Sequence, residues 1–216
     1  MGAGWSSIRQ QSGQVKVALM MMMRLLSTLA LIAISWSPLD AQADRALVDA
    51  MRAVYGLRGY TAFDWISGHY QKGTLTLQGF VRTPQLKNEA EKTARKTRGI
   101  EEVDNKIEVL PTHQGDDDIR INAYIAIYGS SALERYAPGG QLSNAMINEL
   151  RDTARFGLDG TDVARGPHAI HIIVNAARIL LLGEVRTTGD RQLAEGTLRG
   201  LPGVLGVVNQ LRVNTR

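Results

Sequence analysis

Four histidines, His69, His113, His168 and His171, are the side chains of this sequence that titrate near neutrality unaided, so acid–base or metal chemistry would have to start from them. His168 and His171 stand three apart in an apparent strand, which sends them to opposite faces and denies them a shared metal ion. They read as turn or sheet-edge residues. Asp116, Asp117 and Asp118 offer successive carboxylates without the spacing of an EF-hand, and acids in front of a helix serve as caps at its positive end. Cysteine is absent altogether, which excludes disulfides, thiolate metal sites, a cysteine nucleophile and an acylated lipoprotein cysteine. There is no G-x-S-x-G, no H-E-x-x-H and no phosphate loop, and Pro138-Gly-Gly140 reads as a helix terminator. The expectation is a protein without catalytic residues, cofactor or metal, hence not an enzyme.

What remains is charge. Lys87, Lys92, Arg95, Lys96 and Arg98 crowd one face of a predicted helix, partly balanced by Glu89 and Glu91. The plainer reading is a solvated surface with i,i+4 pairs such as Glu91 with Arg95. The sharper one is a patch for anionic lipid headgroups. Formal charge is +4 over 216 residues, and Arg9, Lys16 and Arg24 against Asp40 supply half of it within the first 43. The remainder is too nearly balanced to argue for nucleic acid.

The element that carries the basic face belongs to a pattern the chain states twice. Leu75-Thr-Leu-Gln-Gly79-Phe-Val81 leads through a polar helical run to Gly99-Ile-x-x-Val103-x-Asn105-x-Ile107-x-Val109. Ile179-Leu-Leu-Leu-Gly183-Glu-Val185 leads to Gly203-Val-x-x-Val207-x-Asn209-x-Leu211-x-Val213. Gly79 and Gly183, Glu91 and Glu195, Gly99 and Gly203, and Asn105 and Asn209 are each 104 residues apart, the mark of an internal duplication.

In the first copy, Leu47, Met51, Val54 and Tyr55 form a helical stripe from Asp44 that Gly56 and Gly59 end. Phe63–Tyr70 and Thr74–Arg82 form a hairpin about the turn Lys72-Gly73. Gly79 falls on the core face of its strand, where a glycine suggests a helix backbone crossing closely. Thr83-Pro84 opens a helix to about Arg98 whose small face is Leu86, Ala90, Thr93, Ala94 and Thr97; Gly99 closes it, and Val103–Leu110 is a third strand. The unit is αββαβ, an α+β arrangement.

The second copy follows a linker at 111–115 and runs over 116–214. Ala53-Val-Tyr-Gly56 matches Ala126-Ile-Tyr-Gly129 at an offset of 73, so the second copy carries a 31-residue insertion at about 138–166, between its first helix and its hairpin. Within it, Met146, Leu150 and Ala154 make an apolar stripe. The polar outer-face residues His69, Thr76 and Gln78 become Ile173, Leu180 and Leu182, so the second sheet is apolar on both faces and must be covered on both. The inserted helix or the first repeat is expected to cover it.

At the N-terminus, Arg24, the apolar run Leu25–Ile34, Pro38 and Ala41-Gln-Ala43 have the composition of a cleaved secretory signal peptide over 1–43, too short to span a membrane. Met20 to Met23 offer alternative translation starts. The expectation from this is export.

The doubled strand motif, with Ala90-Glu91 and the Gly-Ile/Val-x-x-Val-x-Asn-x-Ile/Leu-x-Val segment, resembles the BON domain of bacterial envelope proteins, first over 44–110 and again in the second copy. The resemblance implies two helices on one face of a three-stranded sheet in each repeat, and a periplasmic protein that binds phospholipid membrane surfaces and supports envelope integrity under stress. On that footing Lys87, Lys92, Arg95 and Lys96 are the expected membrane contacts, and Gly79, Gly99, Asn105, Gly183, Gly203 and Asn209 the fold-motif positions. The alternative is a periplasmic protein-binding or chaperone-like module, with envelope proteins as partners, using the apolar sheet face or an edge strand.

Overall fold

The computed structural model describes residues 38–140, 142–156 and 164–215; the rest of the expected signal peptide, residues 1–37, lies outside them. Helix α1 (Pro38–Tyr55) begins before Asp44 and passes through Ala43. Strands β1 (Trp65–Gln71) and β2 (Thr74–Val81) form the expected antiparallel hairpin about Lys72-Gly73, with φ of 49° and 86° at the turn. Helix α2 (Pro84–Arg95) starts as its sequence requires: Thr83 accepts from the Leu86 N–H at 3.2 Å and Pro84 occupies the first turn. Strand β3 (Glu102–Val109) returns parallel to β2, giving the order β1-β2-β3.

Side chains alternate along these strands, so Ile66, Leu75, Leu77, Val81, Val103 and Ile107 point to one face, where Ala50, Met51 and Val54 of α1 and Leu86, Ala90 and Ala94 of α2 close over them. The two helices run antiparallel: Ala46 lies against Gly99 beyond the end of α2, and Gly59 beyond the end of α1 lies near Leu86.

The second repeat has α3 (Gln114–Tyr128), a single 3₁₀ turn (Glu134–Tyr136), the inserted α4 (Asn144–Phe156), β4 (Ile170–Asn175), β5 (Arg178–Val185), α5 (Thr188–Arg199), β6 (Gly206–Asn209) and β7 (Arg212–Val213). The fold is α+β with two BON-like repeats, as expected. One detail differs. The third strand of the second repeat is broken into β6 and β7, both parallel to β5.

The expected role of Gly79 is corrected. A Cβ there would fall on the carbonyl oxygen of Trp65 in the neighbouring strand, not on a helix, and φ is 135°. Gly183 repeats this against Ala169, at φ 117°. The glycine that admits a helix is Gly68, where a Cβ would come within 2.6 Å of the Met51 sulfur and 3.0 Å of Leu47.

The cover of the doubly apolar sheet comes from the first repeat. Helix α4 instead packs on α3, burying Leu150 on the helical side. On the outer side Ile173 is buried and Leu180 and Leu182 are half-buried, facing Trp65, Gln78 and Phe80 of the first sheet across a groove of about 450 Å³. Thr61 pairs with Arg165, and the outer edge of β4 is closed by the Ile172 N–H donating to the Ala62 carbonyl at 2.8 Å. Ala62 and Phe63 enter the core of the second repeat.

Candidate functional site

Helix α2 presents the charges picked out above. Its buried stripe at Leu86, Ala90 and Ala94 fixes the rotation, so Lys92, Arg95, Lys96 and Arg98 are exposed and Lys87 is half-buried. They are not equivalent. Arg95 is held to Glu91 at 2.7 Å, and Asn105 of β3 donates to the other Glu91 oxygen at 3.0 Å and to the Lys87 carbonyl at 3.1 Å. The Asn105 carbonyl oxygen accepts from the Ile107 N–H at 3.2 Å. The donor on Asn105 and then the Arg95 guanidinium hold the Glu91 carboxyl below its usual range.

The second copy builds the same lock. Asn209 donates to the Arg191 carbonyl at 2.8 Å and to Glu195 at 3.2 Å, while Arg199 pairs with Glu195 at 2.5 Å. Both asparagines and both glutamates are therefore structural, tying the second helix of each repeat to its third strand. Gly99 and Gly203, with φ of 92° and 80°, make the tight turn between those two elements. Asn105→Ala or Asn209→Ala is expected to cost ~1–3 kcal/mol, since each removes several bonds at once, read as a fall in the urea midpoint at unchanged slope.

Lys92 and Lys96 are free of the lock, and their partners in the duplication are Gly196 and Gly200. Two of the four cations thus belong to the first repeat alone, while Arg191 and Arg199 stand at the positions of Lys87 and Arg95. Beside the basic face, α1 exposes Val48 (53%) over an apolar groove of about 520 Å³ that Met51, Arg52, Tyr55 and Pro167 also line.

The acidic run at 116–118 is used differently from a cap. The cap position of α3 is His113, without a side-chain hydrogen bond, and Asp116 in the first turn is buried. Its carboxylate accepts from the N–H groups of Ala176 and Ala177 at 2.9 and 2.8 Å, clamping the β4–β5 turn; Asp117 pairs with the buried Arg120. Among the described residues no group of three histidines or carboxylates stands close enough to hold a metal ion.

The histidine expectation is also corrected. His168 precedes β4, so strand alternation does not separate it from His171; both are buried, with ring centres 6.4 Å apart. They sit where the repeats meet, among Tyr60, Trp65, Tyr124 and Tyr128. The spacing of three residues hid this, because it says nothing of where a strand begins. The one sequence signal that bore on it was the apolar outer face of the second sheet.

The family model of the BON domain matches residues 64–111 and 158–215. The chain carries two BON domains. BON domains are non-catalytic binding domains of periplasmic or membrane-associated proteins. No helix among the described residues is long and apolar enough to cross a membrane. No curated protein matches the sequence. Among solved structures, the C-terminal domain of CdsD, a structural protein of the type III secretion system of Chlamydia trachomatis, is similar at 13% identity and TM-score 0.24, covering 78% of this chain and 96% of that one. A second CdsD structure gives 11% identity and TM-score 0.24 over 77% and 91% of the two chains. At such scores the likeness carries no argument about this tandem BON protein.

Proposed function

We propose that this tandem BON protein is an exported, non-enzymatic module of the periplasm that binds anionic phospholipid surfaces through α2 of its first domain and supports envelope integrity. The observation that carries the reading is the set of exposed cations Lys92, Arg95 and Lys96 beside the half-buried Lys87, of which the second domain keeps only the counterparts of Lys87 and Arg95, Arg191 and Arg199. Each cation near an anionic surface contributes about 1 kcal/mol, and the attraction fades within a Debye length, so contact is peripheral and sensitive to salt. Arg95 contributes least, because Glu91 already holds it.

The competing reading, a protein-binding or chaperone-like module, rests on the apolar outer face of the second sheet or on an edge strand. That face is turned to the first domain, with Ile173 buried and Leu180 and Leu182 half-buried, which favours the lipid reading.

Sedimentation with vesicles tests it. The full chain is expected to pellet with phosphatidylglycerol-containing vesicles and not with pure phosphatidylcholine. Lys92→Glu/Lys96→Glu, which spares the lock, is expected to weaken binding by about 100-fold or more. Equal pelleting by parent and variant, or none by the parent, would sink the reading.

A further inference from the structure

The contact between the domains is built from uncharged groups around two imidazoles. His171 on β4 is 3% exposed, with Trp65 at 5.0 Å and Tyr60 at 5.6 Å, both from the first domain. Its Nδ1 has no hydrogen-bond partner. His168 beside it keeps a proton on Nδ1, which lies 2.9 Å from the Gly166 carbonyl, a group that can only accept, and its Nε2 lies 3.2 Å from the Tyr124 hydroxyl.

The charged groups around the pair bond other partners, though the Nε atoms of Arg82 and Arg120 are buried without one among the described residues. On the first-domain side, Asp64 accepts from the Thr61 N–H and hydroxyl and from the Arg82 N–H, and the Arg82 guanidinium lies over the Phe63 ring. On the second-domain side, Arg120 donates to Asp117 and to the Val174 carbonyl. No carboxylate bonds either histidine among the described residues.

We propose that this contact is an acid-responsive latch: a proton on His171, with His168 next to it, disfavours the closed arrangement and uncovers the sheet face bearing Ile173, Leu180 and Leu182. A cation formed there would be cut off from water, near a second imidazole and without an anionic partner. The joining backbone bonds, Ala62 to Ala164, Tyr60 to Gly166 and Ala62 to Ile172, are indifferent to pH, so the histidines set the threshold.

The sign follows from burial, which lowers the affinity of both imidazoles for protons and, with His168 adding to the effect, takes His171 to about 4 against the opposing pull of the Asp64, His168 and Thr61 backbones. A base weakened in the closed form takes its proton more readily in the open form. Closure is therefore fully favoured above the ordinary histidine value of 6.5 and loses ground as pH falls from there toward 4. Asp64 acts with the opposite sign, because burial raises its carboxyl, and it moderates the response.

The experiment uses the full chain with Trp5→Phe and Trp36→Phe, leaving Trp65 as the single tryptophan reporter of the junction. Between pH 7.5 and 4 its emission is expected to shift to the red reversibly while far-ultraviolet dichroism holds, as the closed-to-open ratio falls by about 100-fold through His171. His171→Phe keeps a ring in place and is expected to flatten the transition; His171→Gln serves the same purpose should the phenylalanine variant fail to fold. In the unsubstituted chain, NMR of the His171 imidazole is expected to show it neutral well below pH 6. A flat response in the parent, a transition unchanged in a folded variant, simultaneous loss of secondary structure, or His171 titrating at its ordinary value would each overturn the latch.

Discussion

Gly79→Ala and Gly183→Ala are each expected to destabilise the protein by about 3–5 kcal/mol, among the largest effects of any single methyl group in the chain. Two costs coincide. The backbone at both positions has a φ that L side chains rarely adopt, 135° and 117°, worth ~1–3 kcal/mol of strain. The new Cβ would also fall on a backbone carbonyl oxygen, of Trp65 or of Ala169, which cannot rotate away as a side-chain tip can. Relief requires pushing β1 or β4 outward, and these are the strands that carry Trp65 and His171 into the inter-domain contact. Chemical denaturation should show the midpoint falling for both substitutions. Gly196→Ala is the control: it lies in α5, its Cβ would meet nothing within 4 Å, and a gain of ~0.5–1 kcal/mol is expected from helix propensity. A loss no larger than 1 kcal/mol at Gly79 would show that the strand yields to the methyl group.

Asp116→Ala is expected to cost about 3 kcal/mol and to loosen the β4–β5 turn, because it removes two hydrogen bonds to a buried carboxylate. The turn needs the clamp. It is a two-residue hairpin loop with both central residues at positive φ, 49° and 59°, a conformation that suits Asn-Gly, yet it is made of Ala176 and Ala177. The first domain closes its hairpin with Lys72-Gly73, where no side-chain bond among the described residues holds the turn N–H groups. Two solutions to one geometric demand thus sit in the two copies: a glycine in one, an acid from a neighbouring helix in the other. Replacing Ala176-Ala177 by Asn-Gly should recover ~1 kcal/mol or more of the loss in the Asp116→Ala background. Amide exchange at residues 176 and 177 reads the clamp directly, and protection unchanged by Asp116→Ala would refute it.

The candidate sites were legible to different depths. The basic face of α2 could be read because helix periodicity alone places Leu86, Ala90 and Ala94 inward, which leaves Lys92, Arg95 and Lys96 outward. The lock was half legible: Glu91, Asn105 and their copies stood out by recurring, but recurrence does not say that a helix glutamate and a strand asparagine 14 residues later meet at 3.0 Å. A missing side chain on a core face marks the two glycines in the sequence, but what each lies against is a backbone carbonyl and not a helix. A strand pattern specifies alternation, not the local twist that turns Gly79 toward Trp65 and leaves Gly68 under Met51.

By itself the sequence determined the duplication, the αββαβ order, the Thr83 cap, the hairpins and the absence of cysteine chemistry. All of these depend on residues near one another in the chain, or on a pattern counted along it. Only the tertiary structure decided what covers the second sheet, where Asp116 sends its carboxylate, and that His168 and His171 share one buried junction with Tyr60 and Trp65. These pairings close loops of about 60 to 110 residues, and the entropy of closing such loops varies so slowly with length that spacing along the chain cannot choose among them. Packing of surfaces chose: an apolar sheet face with no helix of its own to cover it took the outer face of the neighbouring domain.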